Sequence, residues 1–231
     1  MSFLLNDFER ADVLEAALSD RLIDALAAAI DARGEAILAV SGGRTPAGLF
    51  KCLSGAPLDF SKVMITLTDE RCVPLDHPDS NAQMVQRLLL QGNAKHSRFI
   101  PLYDGAENPA AQGAALDQHF KRLPTFDAVV LGMGLDGHTA SLFPGATGLP
   151  AAMDLSSDRA VTRIQPLTAP HARMSLTASR LLKTRALILH VTGDEKLRLL
   201  NEVSRGADVM HYPVGLFLAH NGPAIEVFWA P

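Results

Sequence analysis

The chain has 231 residues, 48% of them hydrophobic and 20% charged, with a formal net charge of −4. That is enough apolar material for a sizeable core, and it argues against disorder. No basic surplus points to nucleic acid and no acidic tail to a basic partner. Two cysteines, Cys52 and Cys72, cannot build a disulfide framework or a four-cysteine zinc site, so a reduced compartment is expected. Asp7 and Glu9 stand where a signal peptide would carry positive charge. No cleavable apolar core follows them, and no run reaches the ~18 consecutive apolar residues of a membrane helix. The expectation is a soluble, cytoplasmic protein folding as one domain over residues 1–231, without membrane contact.

Leu14, Leu18, Leu22, Leu26 and Ile30 recur at helical spacing among charged residues, so a helix is predicted over 11–33, ended by Gly34. Ala36–Val40 is an apolar run too short for a helix and reads as a strand. Ser41-Gly-Gly-Arg-Thr-Pro46 breaks the chain, and a helix is expected from there, with Thr45 as N-cap and Pro46 at its first position. Val63–Thr68 reads as a strand, followed by a polar loop to Ser80 and a helix over Asn81–Leu90. A further helix is predicted over Pro109–Leu123 and a buried strand over Asp127–Leu131. Residues 144–159 read as loop. Strands are expected near Ala160–Ile164, Ala186–Val191, Val214–Leu218 and Ile225–Phe228, with helices near Leu176–Leu182 and Glu195–Arg205. Apolar strands alternating with helices predict an α/β, Rossmann-like fold: a mostly parallel sheet covered by helices on both faces. Ligands in such folds bind beyond the carboxyl ends of the strands, so the residues after each strand carry the argument.

After the first of these strands come Gly42 and Gly43, then Arg44. Glycines let backbone approach an anion, and a helix N-terminus beyond them offers free N–H groups, which suits a phosphate monoester. A turn that simply needs glycine is the alternative. It is not a nucleotide P-loop, because no Gly-Lys-Ser/Thr follows. After the second strand come Asp69, Glu70 and Arg71: either acid could act in acid–base catalysis and Arg71 could bind an anion, unless the three merely form a strand-end ion pair. After Leu131, the glycines Gly132, Gly134 and Gly137 match the spacing G-x-G-x-x-G. A dinucleotide site is not expected: the helix that could follow has room for only about five residues before Pro144, and no strand ends in an acid ~20 residues on. The glycines instead thread Asp136 and His138 into the crevice, and a histidine beside a carboxylate can serve as a general base near neutrality. Arg173 precedes a predicted helix, and Lys196 sits in the first turn of another, where its charge opposes the helix dipole. Both are candidate phosphate partners, with solvated surface charge as the alternative. The other histidines show no i, i+4 pair, and no metal is expected.

In order along residues 41–196, these segments resemble the 6-phosphogluconolactonase family, within the larger glucosamine-6-phosphate isomerase/6-phosphogluconolactonase superfamily. They are Ser41–Pro46, Asp69–Pro74 with Ser80-Asn81, the glycine–histidine block Gly132–Gly145, Arg173 before Thr177, and Gly193-Asp-Glu-Lys196. Arg44 stands where many members carry a small polar residue, which leaves a backbone role in phosphate binding intact. The resemblance implies hydrolysis of 6-phosphoglucono-1,5-lactone to 6-phosphogluconate, in the oxidative pentose phosphate pathway, with no cofactor and no metal. It implies that His138 activates water, that Asp136 orients or tunes it, and that Arg71, Arg173, Lys196 and the Gly42–Gly43 backbone hold the phosphate. Asp69 matches the ring-proton base of the deaminase branch.

Two alternatives remain. A glucosamine-6-phosphate deaminase would resemble Gly-His-x-Ala-Phe-Asn-Glu-Pro, whereas here His138-Thr-Ala-Ser-Leu-Phe-Pro144 has no carboxylate before the proline. A non-catalytic sugar-phosphate-binding module related to DNA-binding regulators would be expected to carry an added basic region. The first predicted helix instead leads directly into the first of these strands.

Overall fold

The computed structural model describes residues 3–231 except 107, 221 and 223. Met1 and Ser2, where the stretch read for a targeting signal begins, lie outside the described residues. In chain order the strands are β1 (Leu4–Asp7), β2 (Ala36–Val40), β3 (Val63–Leu67), β4 (Asp69–Arg71), β5 (Arg98–Ile100), β6 (Phe126–Leu131), β7 (Val161–Ile164), β8 (Arg173–Leu176), β9 (Thr184–Thr192) and β10 (Ile225–Ala230). The α-helices are α1 (Ala11–Arg33), α2 (Ala47–Ser54), α3 (Asn81–Leu88), α4 (Pro109–Arg122), α5 (Leu149–Met153), α6 (Ala178–Leu181), α7 (Asp194–Val203) and α8 (Val214–Ala219).

Seven strands form a wholly parallel sheet in the order β1-β10-β9-β6-β2-β3-β5. Every residue of β2, β3 and β6 is buried, so both faces of the sheet are covered. On α1, Leu14, Leu18, Leu22 and Leu26 form one fully buried stripe. Each such leucine contributes about 1.5–3 kcal/mol of burial. From β2 the chain builds outward one way through β3 and β5, and the other way through β6, β9 and β10. The order therefore reverses between β2 and β6, and a ligand crevice opens beyond the carboxyl ends of these two strands. A second, antiparallel sheet, β4-β8-β7, pairs Asp69 with Ser175 and Arg71 with Arg173. Among the described residues, no helix is long and apolar enough to cross a membrane.

Several expectations need correction. Val214–Leu218 is the helix α8 and not a strand. Its buried residues Val214, Gly215, Phe217 and Leu218 follow helical spacing, but five apolar residues are too few to show a period. The helix after Ser41–Pro46 begins at Ala47, with Pro46 as N-cap and no side-chain cap from Thr45. The Ala47 N–H turns back toward the Arg44 carbonyl at 3.4 Å, which inserts a turn before the helix. Arg173 does not precede a helix: it opens β8, and only Ala178–Leu181 is helical, capped by Thr177. The loop expected before Ser80 contains β4, and the one over 144–159 contains α5. The glycine block is followed by turns and a bridge between Thr139 and Leu142, with no helix. Strands β1 and β5 were not predicted: β1 is a largely exposed edge strand and β5 is three residues long.

Candidate active site

At the point where strand order reverses lies a cavity of about 260 Å³. Its walls include Gly42, Gly43 and Arg44 after β2, Asp69 and Arg71 from β4, His138 after β6, Arg173 from β8 and Lys196 from α7. The candidate residues therefore line one cavity except Asp136, whose carboxylate is bonded to His138, and Glu70.

The loop after β2 packs against the start of α3. A Cβ at position 42 would fall 1.9 Å from Asn81 Oδ1, so a larger residue there would have to displace the Asn81 amide. Asn81 in turn donates Nδ2–H to the Asp69 carbonyl at 2.9 Å, tying the start of α3 to β4.

Alternation along β4 separates its two acids. Glu70 turns away from the cavity and is 1% exposed. Its carboxylate accepts the N–H groups of Arg71, Asn81 and Ala82 at 2.6, 2.8 and 2.6 Å, and so caps α3. Burial pushes its carboxyl pKa up, and these backbone donors only partly oppose that. Glu70 is thus a structural group and not a free acid or base. Asp69 faces the cavity and accepts hydroxyl hydrogen bonds from Thr68 at 3.2 Å and Ser141 at 2.5 Å.

His138 Nδ1 lies 2.5 Å from Asp136 Oδ1, which also accepts the His138 backbone N–H at 3.1 Å. Burial raises the Asp136 carboxyl, but the histidine's hydrogen bonds and charge outweigh it and hold the carboxyl below its ordinary range. A carboxylate on Nδ1 favours the tautomer with the proton there, leaving Nε2 as the basic nitrogen. Gly134 makes the arrangement possible: a Cβ there would sit 2.3 Å from the His138 ring and 2.6 Å from Asp136 Oδ1. Phe143 covers the imidazole, with ring centroids 4.2 Å apart.

The cations fall into two banks. Arg71 and Arg173 are cross-strand partners. Arg173 is 5% exposed, its Nη1 has no hydrogen-bond partner among the described residues, and its guanidinium lies 5.9 Å from the Phe143 ring. Burial lowers its pKa, and Arg71 adds to the effect. On the other side Lys196 is lowered by burial and by nearby Arg44. Buried cations without partners are costly unless an anion arrives to pair with them. His190, near the end of β9, was not singled out from the sequence. It is 2% exposed, neither ring nitrogen has a hydrogen-bond partner among the described residues, and it borders the cavity. Burial and Lys196 push its pKa down to about 4. It lies within the strand predicted near Ala186–Val191, so reading the residues after each strand passes over it. Among the described residues, the one cluster of potential metal ligands lies outside the cavity lining, at His77, Asp79 and His171.

The family model described as glucosamine-6-phosphate isomerases/6-phosphogluconolactonase matches residues 9–229. The chain belongs to this family. A 6-phosphogluconolactonase of Rhizobium meliloti is 41% identical over 232 aligned residues, covering 100% of both chains. One from Pseudomonas putida is 40% identical over 227 residues, covering 98% of this chain and 93% of the relative. The crystal structure of a 6-phosphogluconolactonase from Shewanella baltica OS155 superposes with a TM-score of 0.95 at 36% identity, covering 100% of this chain and 98% of that one. Within the glucosamine-6-phosphate isomerase/6-phosphogluconolactonase family the resemblance thus extends over the whole chain, including the parallel sheet and the loops that build the cavity.

Proposed function

We propose that this chain hydrolyses 6-phosphoglucono-1,5-lactone to 6-phosphogluconate. The observation that carries the proposal is the Asp136–His138 pair, 2.5 Å apart, with His138 on a cavity that two banks of cations border. The full-length similarity to 6-phosphogluconolactonases supports it.

Water gives a proton to His138 Nε2 as its oxygen attacks the lactone carbonyl carbon. The tetrahedral oxyanion collapses, the bond from that carbon to the ring oxygen breaks, and His138 returns its proton to the departing oxygen. The new carboxylic acid then ionises. One such acid–base group contributes roughly 10²–10⁴-fold. Asp136 holds the imidazole and favours its protonated form during the attack. Asp69 keeps a carboxylate facing the cavity and accepts a sugar hydroxyl. Gly42, Gly43, Arg44, Arg71, Arg173 and Lys196 hold the phosphate, so that binding energy remote from the reacting carbon fixes the lactone's position. The reaction runs in the cytoplasm, on one folded unit spanning residues 1–231, without cofactor, nucleic acid or membrane.

The deaminase alternative meets a specific obstacle. The residue before Pro144 is Phe143, whose ring packs on His138 where that branch has a glutamate. The test is to generate the lactone with a glucose-6-phosphate dehydrogenase and follow acid release above the spontaneous rate. Glucosamine 6-phosphate is offered in parallel with ammonia as the readout. Acceleration of the first without the second is expected; ammonia release, or binding without turnover, would overturn the proposal.

A further inference from the structure

We propose that His77, Asp79 and His171 form a binding site for one divalent transition-metal ion of the zinc type, separate from the catalytic cavity. His77 and Asp79 lie in the loop between β4 and α3, and His171 lies in the turn before β8. The fold therefore joins segments 92 residues apart. His171 Nε2 is 3.2 Å from Asp79 Oδ2, and His77 Nδ1 is 3.9 Å from the same oxygen. One ligand atom from each of the three lies within 4.8 Å of the others. A tetrahedral ion with bonds of ~2.0–2.1 Å wants its ligand atoms about 3.4 Å apart. Closing that gap takes only a small side-chain shift. The three side chains are 36%, 50% and 31% exposed, which leaves them free to make it and keeps one side open for a water as fourth ligand.

The donor set selects the metal. Two imidazoles and one carboxylate suit zinc and its neighbours in the first transition row, whereas calcium and magnesium want six or more oxygens. Without an ion, the Asp79 N–H donates to His77 Nδ1 at 3.1 Å and His171 shares a hydrogen bond with the Asp79 carboxylate. Each ligand atom exchanges one of these exposed hydrogen bonds for a metal bond, with the imidazole proton on the other ring nitrogen.

Independent of these distances, His171 has a backbone φ of +66°, and among the described non-glycine residues only it and Ala140 have positive φ. Such a conformation persists where the surroundings over-determine it, and here it turns the ring toward Asp79. The Asp79 carbonyl accepts Arg71 Nη1 at 2.5 Å, and His171 stands two residues before Arg173. An ion at this point would clip together the two segments that carry the Arg71–Arg173 bank. The Arg71 guanidinium opposes a nearby dication, and the Asp79 carboxylate offsets it.

The experiment uses the full chain, stripped with a chelator and dialysed, and needs no enzyme assay. Zn²⁺ is titrated by calorimetry, and Co²⁺ serves as a spectroscopic probe of tetrahedral geometry. One ion per chain is expected in the micromolar range, with the melting temperature raised by about 5–10 °C at a hundredfold excess over the dissociation constant. His77→Ala and His171→Asn should each weaken binding at least tenfold; asparagine tolerates the left-handed backbone, so the second variant loses the imidazole without refolding the turn. Exposed His96→Ala and His211→Ala should leave binding unchanged. Absence of saturable binding, or binding unaltered in both test variants, would overturn the proposal. So would loss of binding in His138→Asn with His171→Asn unaffected, which would assign the ion to the catalytic cavity.

Discussion

Ser141 Oγ donates a 2.5 Å hydrogen bond to Asp69 Oδ2 across 72 residues of chain. Ser141 belongs to the glycine–histidine block after β6 and Asp69 to β4, so this bond ties the small antiparallel sheet to the loop that carries His138. Ser141 is fully buried and Asp69 is 8% exposed, so water cannot readily replace the hydroxyl. Ser141→Ala should therefore cost about 1.5–3 kcal/mol, the range for a hydrogen bond to a charged group. Urea unfolding checks this, and a loss below ~0.5 kcal/mol would mean that the carboxylate finds another donor.

His138→Asn keeps a polar side chain of similar size but cannot take a proton near neutral pH. It should fold normally and bind 6-phosphogluconate, while kcat falls about 10²–10⁴-fold. Gly134→Ala should produce a comparable loss by another route, because its Cβ would occupy space 2.3 Å from the imidazole. Stopped assays corrected for spontaneous opening decide both, and a near-normal kcat in His138→Asn would move the base role to Asp69.

Arg173→Ala and Lys196→Ala should each raise KM strongly while changing kcat less, since charge-assisted bonds to phosphate are roughly twice as strong as neutral ones. Unphosphorylated gluconolactone should be a poor substrate for the unmodified protein and should respond little to either substitution. If both variants kept the original KM, the phosphate would have to bind elsewhere.

His190 gives the fold a pH dependence of definite sign. Its folded pKa is pushed down to about 4 from an ordinary value of 6.5, so between these values the unfolded chain binds the proton and the folded one does not. Stability from this group is complete above pH 6.5 and is lost as pH falls through about 4. At ~1.4 kcal/mol per unit the full loss is about 3 kcal/mol. His190→Leu should flatten that part of the pH profile measured by urea unfolding between pH 7 and 4. An unchanged slope would mean that the charged ring is accommodated.

The parallel sheet was legible because β2, β3 and β6 are short apolar runs flanked by glycine or polar loops, and burial on both faces leaves no other use for such runs. Most of the proposed site was legible for a related reason: Gly42 to Arg44, Asp69, Arg71 and His138 all follow strand ends, where an α/β fold gathers its ligand. What escaped depended on distant partners. β4 and β8 are three and four residues long and exist as strands only through pairing across the small sheet, β4 with β8 and β8 with β7. Val214–Ala219 has the composition of a strand, and its helical form is set by packing that no local period records. Glu70 and Asp69 look equivalent in sequence, and only the neighbouring N-terminus of α3 separates a capping acid from one that faces the cavity. The cluster of His77, Asp79 and His171 escaped because ligand spacing was sought along the chain, and the fold supplies it across the chain.

The alternation in β4 also constrains how this segment can change length. Asp69 and Arg71 face the cavity, while Glu70, between them, faces α3. A one-residue insertion or deletion just before Asp69 would exchange these directions while leaving the composition almost untouched. The acid that now caps a helix would enter the cavity, and the arginine would point at a helix N-terminus that repels it. Point substitutions disturb one role at a time, whereas a frame slip inverts three together. The number of residues between β3 and Arg71 therefore decides which of these side chains enters the cavity.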